Sequence, residues 1–352
     1  MKKAIVMNDF DISDGFIWFI HTSYNCIVKY DIVRNKAFYE SYIPEEYKGK
    51  YTYKSLFADG KTIVIIPNQS NFILIYDISG KKFSKIEVST EKYKYGYFRL
   101  GKRIDNYIYL MPSQYEYVCK YDMNTNNLVH LFNWKLIRKN YSKDSYICDA
   151  SIQDNKYASF IVKPQNDIVI LSLTNTDDYY VIKGDDGANY TTLCSINNYI
   201  YIRDEKRGEI IVIDNDQRKI IERKKDITDD LYYLYSYKNE YLMIDEITNP
   251  RMTIFDENLN KCYEYNSDNE SNEEYCYLEY TDKLNYKGEA IWFSNSSSEL
   301  VFINNEFIGK TMKIYIDEED NTFRENLLLN CGIIEENGYI NLDDFIQVCK
   351  NY

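Results

Sequence analysis

Asp14-Gly15-Phe16-Ile17-Trp18-Phe19-Ile20, followed by Tyr30-Asp31, is a phrase that the chain repeats with variations. Asp59-Gly60-Lys61-Thr62-Ile63-Val64-Ile65-Ile66 precedes Tyr76-Asp77. Asp105-Asn106-Tyr107-Ile108-Tyr109-Leu110 precedes Tyr121-Asp122, and Asn197-Asn198-Tyr199-Ile200-Tyr201-Ile202 precedes Ile213-Asp214. Weaker copies start at Asp154, Lys238 and Lys287. The seven starts give a mean period of about 45 residues, a length that suits a repeat unit of four short strands. Asp31, Asp77, Asp122, Asp214 and Asp256 lie 17 or 18 residues after their starts, and Ser172 and Asn304 fill the same slot in the other two copies.

Each part of the phrase has a local physical reading. Asp-Gly and Asn-Asn pairs tolerate the left-handed backbone of a tight hairpin turn, and the apolar run after them has strand length. The acid in the second landmark ends another strand, and its carboxylate can accept a backbone N–H two residues on. Lys36, Lys82, Lys219 and Lys261 follow that acid by five residues and open a further strand. Four antiparallel strands repeated seven times predict an all-β chain, a seven-bladed β-propeller of four-stranded antiparallel blades. Pro67, Pro112, Pro164 and Pro250 fall between second and third strands, where no ladder needs a donor.

The blades are expected to open near residues 2, 51, 97, 146, 190, 232 and 275 within a propeller of residues 1–316. Residues 3–7 read as the opening strand of the first blade and Lys310 to Ile316 as the end of the last. No strand is left over, so the ends are expected to meet by packing between first and last blades. Residues 317–352 read as a tail with a short C-terminal helix near 342–350, capped by Asn341, with Leu342, Phe345, Ile346 and Cys349 on one face.

Asp14 to Ile20 together with Lys29-Tyr30-Asp31-Ile32-Val33-Arg34-Asn35-Lys36 resembles a blade of the YVTN, Kelch-like and sensor-propeller group. Over residues 1–316 the chain is similar to Tyr-, Asn- and Ile-rich propeller proteins of low-GC bacteria. The Gly-Gly of Kelch repeats and the Trp-Asp of WD repeats are missing, so the resemblance implies an architecture and no family-specific site.

Composition narrows the function classes. The 352 residues carry 42 Lys and Arg against 55 Asp and Glu, a net charge of −13. That argues against a phosphate-backbone binder, whose affinity rests on cations that displace counterions. No apolar run approaches the ~20 residues of a membrane span. Eight cysteines without a C-x-x-C pair indicate neither a zinc ribbon nor a disulfide framework, and reduced cytoplasmic thiols are expected. Two histidines leave little for a triad or a His-rich metal centre, and no cofactor or metal is expected.

The loops between second and third strands supply the candidate site: His21, Tyr24, Gln69, Gln114, Tyr115, Gln165, Arg203, Arg207, Asp245 and Glu246. The expected function is a cytoplasmic, non-enzymatic scaffold that recognises a protein or peptide through this loop face. The alternatives are a metal-dependent lyase or hydrolase at the channel mouth, built on His21 and the Asp245-Glu246 pair, and a glycan-binding module using stacked tyrosines. Gln69, Gln114 and Gln165 also read as turn chemistry encoded by the repeat. His130 is expected to face solvent on an outer strand. Most of the 38 tyrosines belong on strands. The clusters Lys92 to Tyr97 and Tyr232 to Tyr237 lie between blades, either as recognition surface or buried where they run into the next first strand.

Overall fold

A computed structural model describes residues 2–317 apart from 4–6, 22–25, 44–52, 154, 226, 229–231, 247–250, 258, 267–277, 287–288, 295–298 and 315. Among the described residues, seven four-stranded antiparallel sheets follow one another, each taking its strands in chain order. We number them 1 to 7. Their first strands are Met7–Ser13, Tyr53–Ala58, Phe98–Ile104, Tyr146–Gln153, Tyr190–Ile196, Tyr232–Tyr237 and Leu278–Tyr286. The fold is an all-β propeller of four-stranded antiparallel blades. The helix expected near 342–350 lies outside the described residues. Among the described residues no helix is long and apolar enough to cross a membrane.

The chain divides into two compact units. One comprises Met1–Ile65, Ile73–Ile86 and Glu279–Tyr352, the other Ile66–Phe72 and Glu87–Leu278. Sheets 3 to 6 thus belong to the second unit, which carries the site described below.

Strand alternation explains the cores. In the second strand of sheet 4 (Tyr157–Lys163), Phe160 and Val162 enter a core shared with Met111, Val118 and Trp134 of the preceding repeat. Ile161, between them, enters the next core with Leu193, Ile200, Ile202 and Ile211 of sheet 5. The third strand repeats this, with Val169 and Leu171 on one side and Ile168 and Ile170 on the other. Successive side chains point to opposite faces, and with a neighbour on each face both sets must be apolar. Sheet 5 continues the pattern, sending Tyr201, Ile210 and Val212 towards Leu234, Leu242 and Ile244 of sheet 6.

All seven landmark residues cap a turn. The N–H groups of Val33, Ser79 and Asn124 donate to Asp31, Asp77 and Asp122 Oδ1, each at 2.9 Å. Gln217 N–H donates to Asp214 Oδ1 (2.9 Å) and Asn260 N–H to Asp256 Oδ1 (2.8 Å). Ser172 Oγ accepts from Asn175 N–H (3.1 Å) and Asn304 Oδ1 from Glu306 N–H (3.0 Å). At the other hairpin, Asp14 and Gly15 both take the left-handed backbone, with φ of 53° and 79°.

Adjacent first strands are joined by side-chain acceptors. Leu56 N–H donates to Asp9 Oδ2 (3.1 Å) and Ala58 N–H to Asp11 Oδ2 (2.8 Å). In the second unit Leu193 N–H donates to Asp149 Oδ2 (2.9 Å), Ser195 N–H to Ser151 Oγ (3.1 Å) and Leu234 N–H to Thr192 Oγ1 (3.1 Å).

The ends of the described chain correct one expectation. Lys3, expected in the opening strand of sheet 1, lies outside it, and that strand starts at Met7. Lys2 and Lys3 instead pair antiparallel with Asp317 and Ile316. A ladder of two residues carries no alternation to detect. Packing contributes as well, because Phe10, Ile17 and Phe19 of sheet 1 share a core with Ile291, Phe293 and Phe302 of sheet 7.

Two stability predictions arise from these contacts. Asp11→Ala removes the acceptor of the buried Ala58 N–H and should cost about 1–3 kcal/mol, read as a lower urea midpoint with an unchanged slope. The second concerns acid. The Gly80 N–H and then the Ser79 hydroxyl hold the Asp77 carboxyl below its ordinary range, and the Asn124 N–H does the same for Asp122. Folding lowers both values, so their stabilisation is full above the unfolded carboxyl value of about 4 and is lost as pH falls through the folded values. The Asp77→Asn, Asp122→Asn variant should therefore have a lower urea midpoint than the wild type at pH 7, with the gap closing towards pH 2.

Candidate functional site

Sheets 3, 4 and 5 share an irregularity at the entrance of their first strands. The register shifts between Phe98 and Leu100, between Ile147 and Asp149, and between Tyr190 and Thr192. Arg99, Cys148 and Thr191 are the extra residues, without a direct opposite on the second strand. A β-bulge bends its strand and re-aims a side chain. Sheet 6 enters without a shift, pairing Tyr232 with Glu246 and Tyr233 with Asp245.

Arg99 is the centre of the resulting cluster. One third of its side chain is exposed, and its Nε lies 3.6 Å from Asp149 Oδ1. Burial works against its charge, but Asp149 first, then Tyr233, Cys148 and Tyr235, outweigh it and raise the guanidinium above its ordinary pKa. Asp149 spends its other oxygen on sheet 5, accepting from Thr192 Oγ1 (2.8 Å) and Leu193 N–H (2.9 Å). Tyr95, 40% exposed, stacks on Tyr146 with ring centroids 4.1 Å apart and planes 23° from parallel. The Lys94 ammonium sits 5.0 Å from the Tyr95 ring centre. Tyr233 and Tyr235 are half-buried on sheet 6.

Tyr95 is placed by Gly96, whose φ of +86° is left-handed and whose Cβ, if present, would stand 2.7 Å from the Asn68 carbonyl. That approach lets Tyr97 N–H donate to Asn68 O at 2.6 Å.

Lys163 adds a second cation. It closes the second strand of sheet 4 opposite Tyr146. Its half-buried ammonium donates to Asn166 Oδ1 (2.5 Å) and Asn189 Oδ1 (2.8 Å). No carboxylate lies within ion-pair distance of it among the described residues. Burial lowers its pKa, against the opposing pull of Cys148, Glu205 and Asp204. Burial, reinforced by Asp149, pushes the Cys148 thiol up to about 12, although Lys163 and Arg99 pull the other way. A thiol with that value stays protonated and is no nucleophile.

The residues expected from the sequence are mostly used as structure. Tyr24 lies outside the described residues. His21 is buried at the end of a second strand in the first unit. Gln69 is exposed. Gln114 is buried, accepting from Tyr95 N–H (3.1 Å) and donating to Lys143 O (2.8 Å). Gln165 Nε2 donates to Asn140 O (3.2 Å). These two amides tie their loops to the connections beside them.

Tyr115 is 4% exposed, packed edge-on against Phe98 (5.6 Å) and Tyr93 (5.8 Å), with its hydroxyl 2.9 Å from His130 Nε2. His130 is exposed, as expected of an outer strand, but its ring also stacks on Tyr117 at 4.5 Å. Arg203 is buried with its guanidinium 3.9 Å from the Tyr232 ring centre. Exposed Arg207 pairs with Asp185 at 2.5 Å. Asp245 and Glu246 are buried, and Glu246 pairs with Arg251 at 2.5 Å. Among the described residues no three His, Cys, Asp or Glu side chains gather as a metal site.

A polar cavity of about 90 Å³ lies among Tyr157, Ile170, Asp178, Tyr180, Asn215, Asp216 and Arg218. It has room for about three waters, and Arg218 is already paired with Asp178 at 2.7 Å.

No protein-family model matches the chain, and no curated protein matches it in sequence. Solved propellers do match in shape. Hsv2 of Kluyveromyces lactis superposes with a TM-score of 0.55 at 7% identity, covering 89% of this chain and 100% of that one. Virginiamycin B lyase from Staphylococcus aureus gives 0.58 at 12% identity, over 89% and 99%. A streptogramin B lyase gives 0.57 at 13%, over 89% and 96%. At these identities the likeness is one of fold.

The Cys148 environment makes a prediction for alkylation. In the folded protein at pH 8, iodoacetamide should label the half-buried Cys262 well before Cys148, and denaturation should abolish the difference, as followed by peptide mass spectrometry.

Proposed function

We propose that the chain is a binding module that takes a peptide or an extended protein segment where Tyr95, Tyr146, Tyr233 and Tyr235 surround Arg99. The observation that carries this reading is the stacked Tyr95–Tyr146 pair, with Tyr95 exposed and Tyr146 within electrostatic reach of the Arg99 guanidinium. Tyrosine offers large contact area for two side-chain torsions plus a polar tip, which is why it is enriched with arginine at binding hot spots. Among the described residues Cys119, Cys148, Cys194 and Cys262 are free thiols, which supports placing that function in the cytoplasm.

A catalytic reading has less support. Glu246 is committed to Arg251, the Cys148 thiol is held protonated, and the shared fold with two lyases carries no residue of theirs to this chain.

The reading is tested by selecting binders from a random dodecapeptide library and measuring their affinity by fluorescence anisotropy. Tyr146→Ala should weaken binding about tenfold or more, as expected of a hot-spot aromatic. Peptides that bind the variant and the wild type equally would sink the proposal, as would a glycan-array hit lost in Tyr146→Ala with no peptide selected.

A further inference from the structure

We infer that the ligand presents a carboxylate to this site and that Arg99 selects it. The inference rests on the peptide-binding reading and adds the chemistry of the group recognised.

Arg99 donates no hydrogen bond among the described residues. Its one ion-pair contact is Asp149, at 3.6 Å from Nε, longer than a hydrogen bond. Asp149 is in turn held by two donors of sheet 5, so it orients the guanidinium without consuming the two terminal nitrogens. Those nitrogens form the fork that fits a planar carboxylate with two parallel bonds.

The surroundings favour the same charge. The charges of Lys163 and Arg99 both act on the Cys148 thiol, and the Lys163 ammonium rests on two neutral amide oxygens. Burial first, then Cys148 and Tyr95, raises the Tyr146 phenol above its ordinary pKa, so it stays a hydroxyl able to donate. The next bulge contributes Thr191, whose buried hydroxyl has no hydrogen-bond partner among the described residues. Two cations and a set of donors, in a chain of net charge −13, make a local complement to an anion that most of the surface would repel.

Two sources supply a carboxylate in a peptide: an Asp or Glu side chain, and the C-terminus. Enriched dodecapeptides are therefore synthesised in four forms, with free or amidated C-terminus and with acids kept or changed to amides. Each is titrated against wild type, Arg99→Gln, Arg99→Lys and Tyr146→Ala at low and high salt. Loss of the recognised carboxylate should cost tenfold or more. Arg99→Gln should cost as much, with no further loss when both changes are combined. Arg99→Lys keeps the charge beside Asp149 but not the fork, and should fall between; it carries the test if Arg99→Gln does not fold.

Equal binding to Arg99→Gln, or indifference to all carboxylate changes, would overturn the inference. If Tyr146→Ala still weakened binding, the peptide reading would stand alone. Selected peptides indifferent to both Arg99 and Tyr146, or a library that yields no binder, would remove both.

Discussion

The first strand of every sheet is an edge. Its inward N–H groups have no ladder to join, and each one left unpaired in a dry environment costs about 1–3 kcal/mol. Short acceptors on the preceding sheet meet this demand: Asp9 and Asp11 for sheet 2, Asp149 and Ser151 for sheet 5, Thr192 for sheet 6. Donor and acceptor are 47, 47, 44, 44 and 42 residues apart, close to one repeat each time. The polar residues on otherwise apolar inner strands thus follow from sheet-to-sheet contact. The bulges answer to the same need. In sheet 4 the shift brings Asp149 to face sheet 5, and Cys148 and the neighbouring sheet's Arg99 collect beside it. The geometry of the candidate site is in this sense a by-product of joining the inner strands.

The other edge is managed by charge. The fourth strands Lys82–Glu87 and Lys219–Lys225 are mostly exposed and rich in lysine, which discourages pairing with another chain. Ion pairs such as Arg223–Asp185 at 2.6 Å lie on partly exposed surface and contribute little to stability. The cores between sheets matter more, since each fully buried Ile or Val side chain contributes about 1.5–3 kcal/mol.

Legibility in the sequence followed the range of the interaction. The turn slot held by Asp31, Asp77, Asp122, Ser172, Asp214, Asp256 and Asn304 could be read because the donor is two to four residues away in the same chain segment. The four-stranded unit was legible for the same reason. Arg99 was not, because a bulge is a relation between two strands and leaves no spacing signal in one. Lys163 was hidden likewise, as one of its two amide partners, Asn189, lies 26 residues on. Gln114, Tyr115 and Arg203 looked like loop-face residues by position, but the second-to-third-strand turns are tight. Their polar and aromatic groups fold back onto backbone and neighbouring rings.

Tyrosine shows how position within the repeat decides role. Before the turn slot it is buried and its hydroxyl closes the turn: Tyr30 donates to Asn35 Oδ1 and Tyr121 to Asn126 Oδ1. Sheet 2 carries Lys81 where sheets 1 and 3 carry Asn35 and Asn126, so Tyr76 turns to Glu40 of sheet 1 (3.0 Å), which also accepts from Lys81 (2.7 Å). One substitution thus converts a contact within a hairpin into one between sheets. At the entrance of the first strand the outcome depends on the face to which a tyrosine's side chain is sent. Tyr190 and Tyr232 turn inward and are buried. Tyr146 stays half-exposed under Tyr95, and Tyr233 and Tyr235 stay half-buried near Arg99. A shared propensity for strands placed all of these residues, but those grouped around Arg99 keep ring faces or hydroxyls that another molecule can reach.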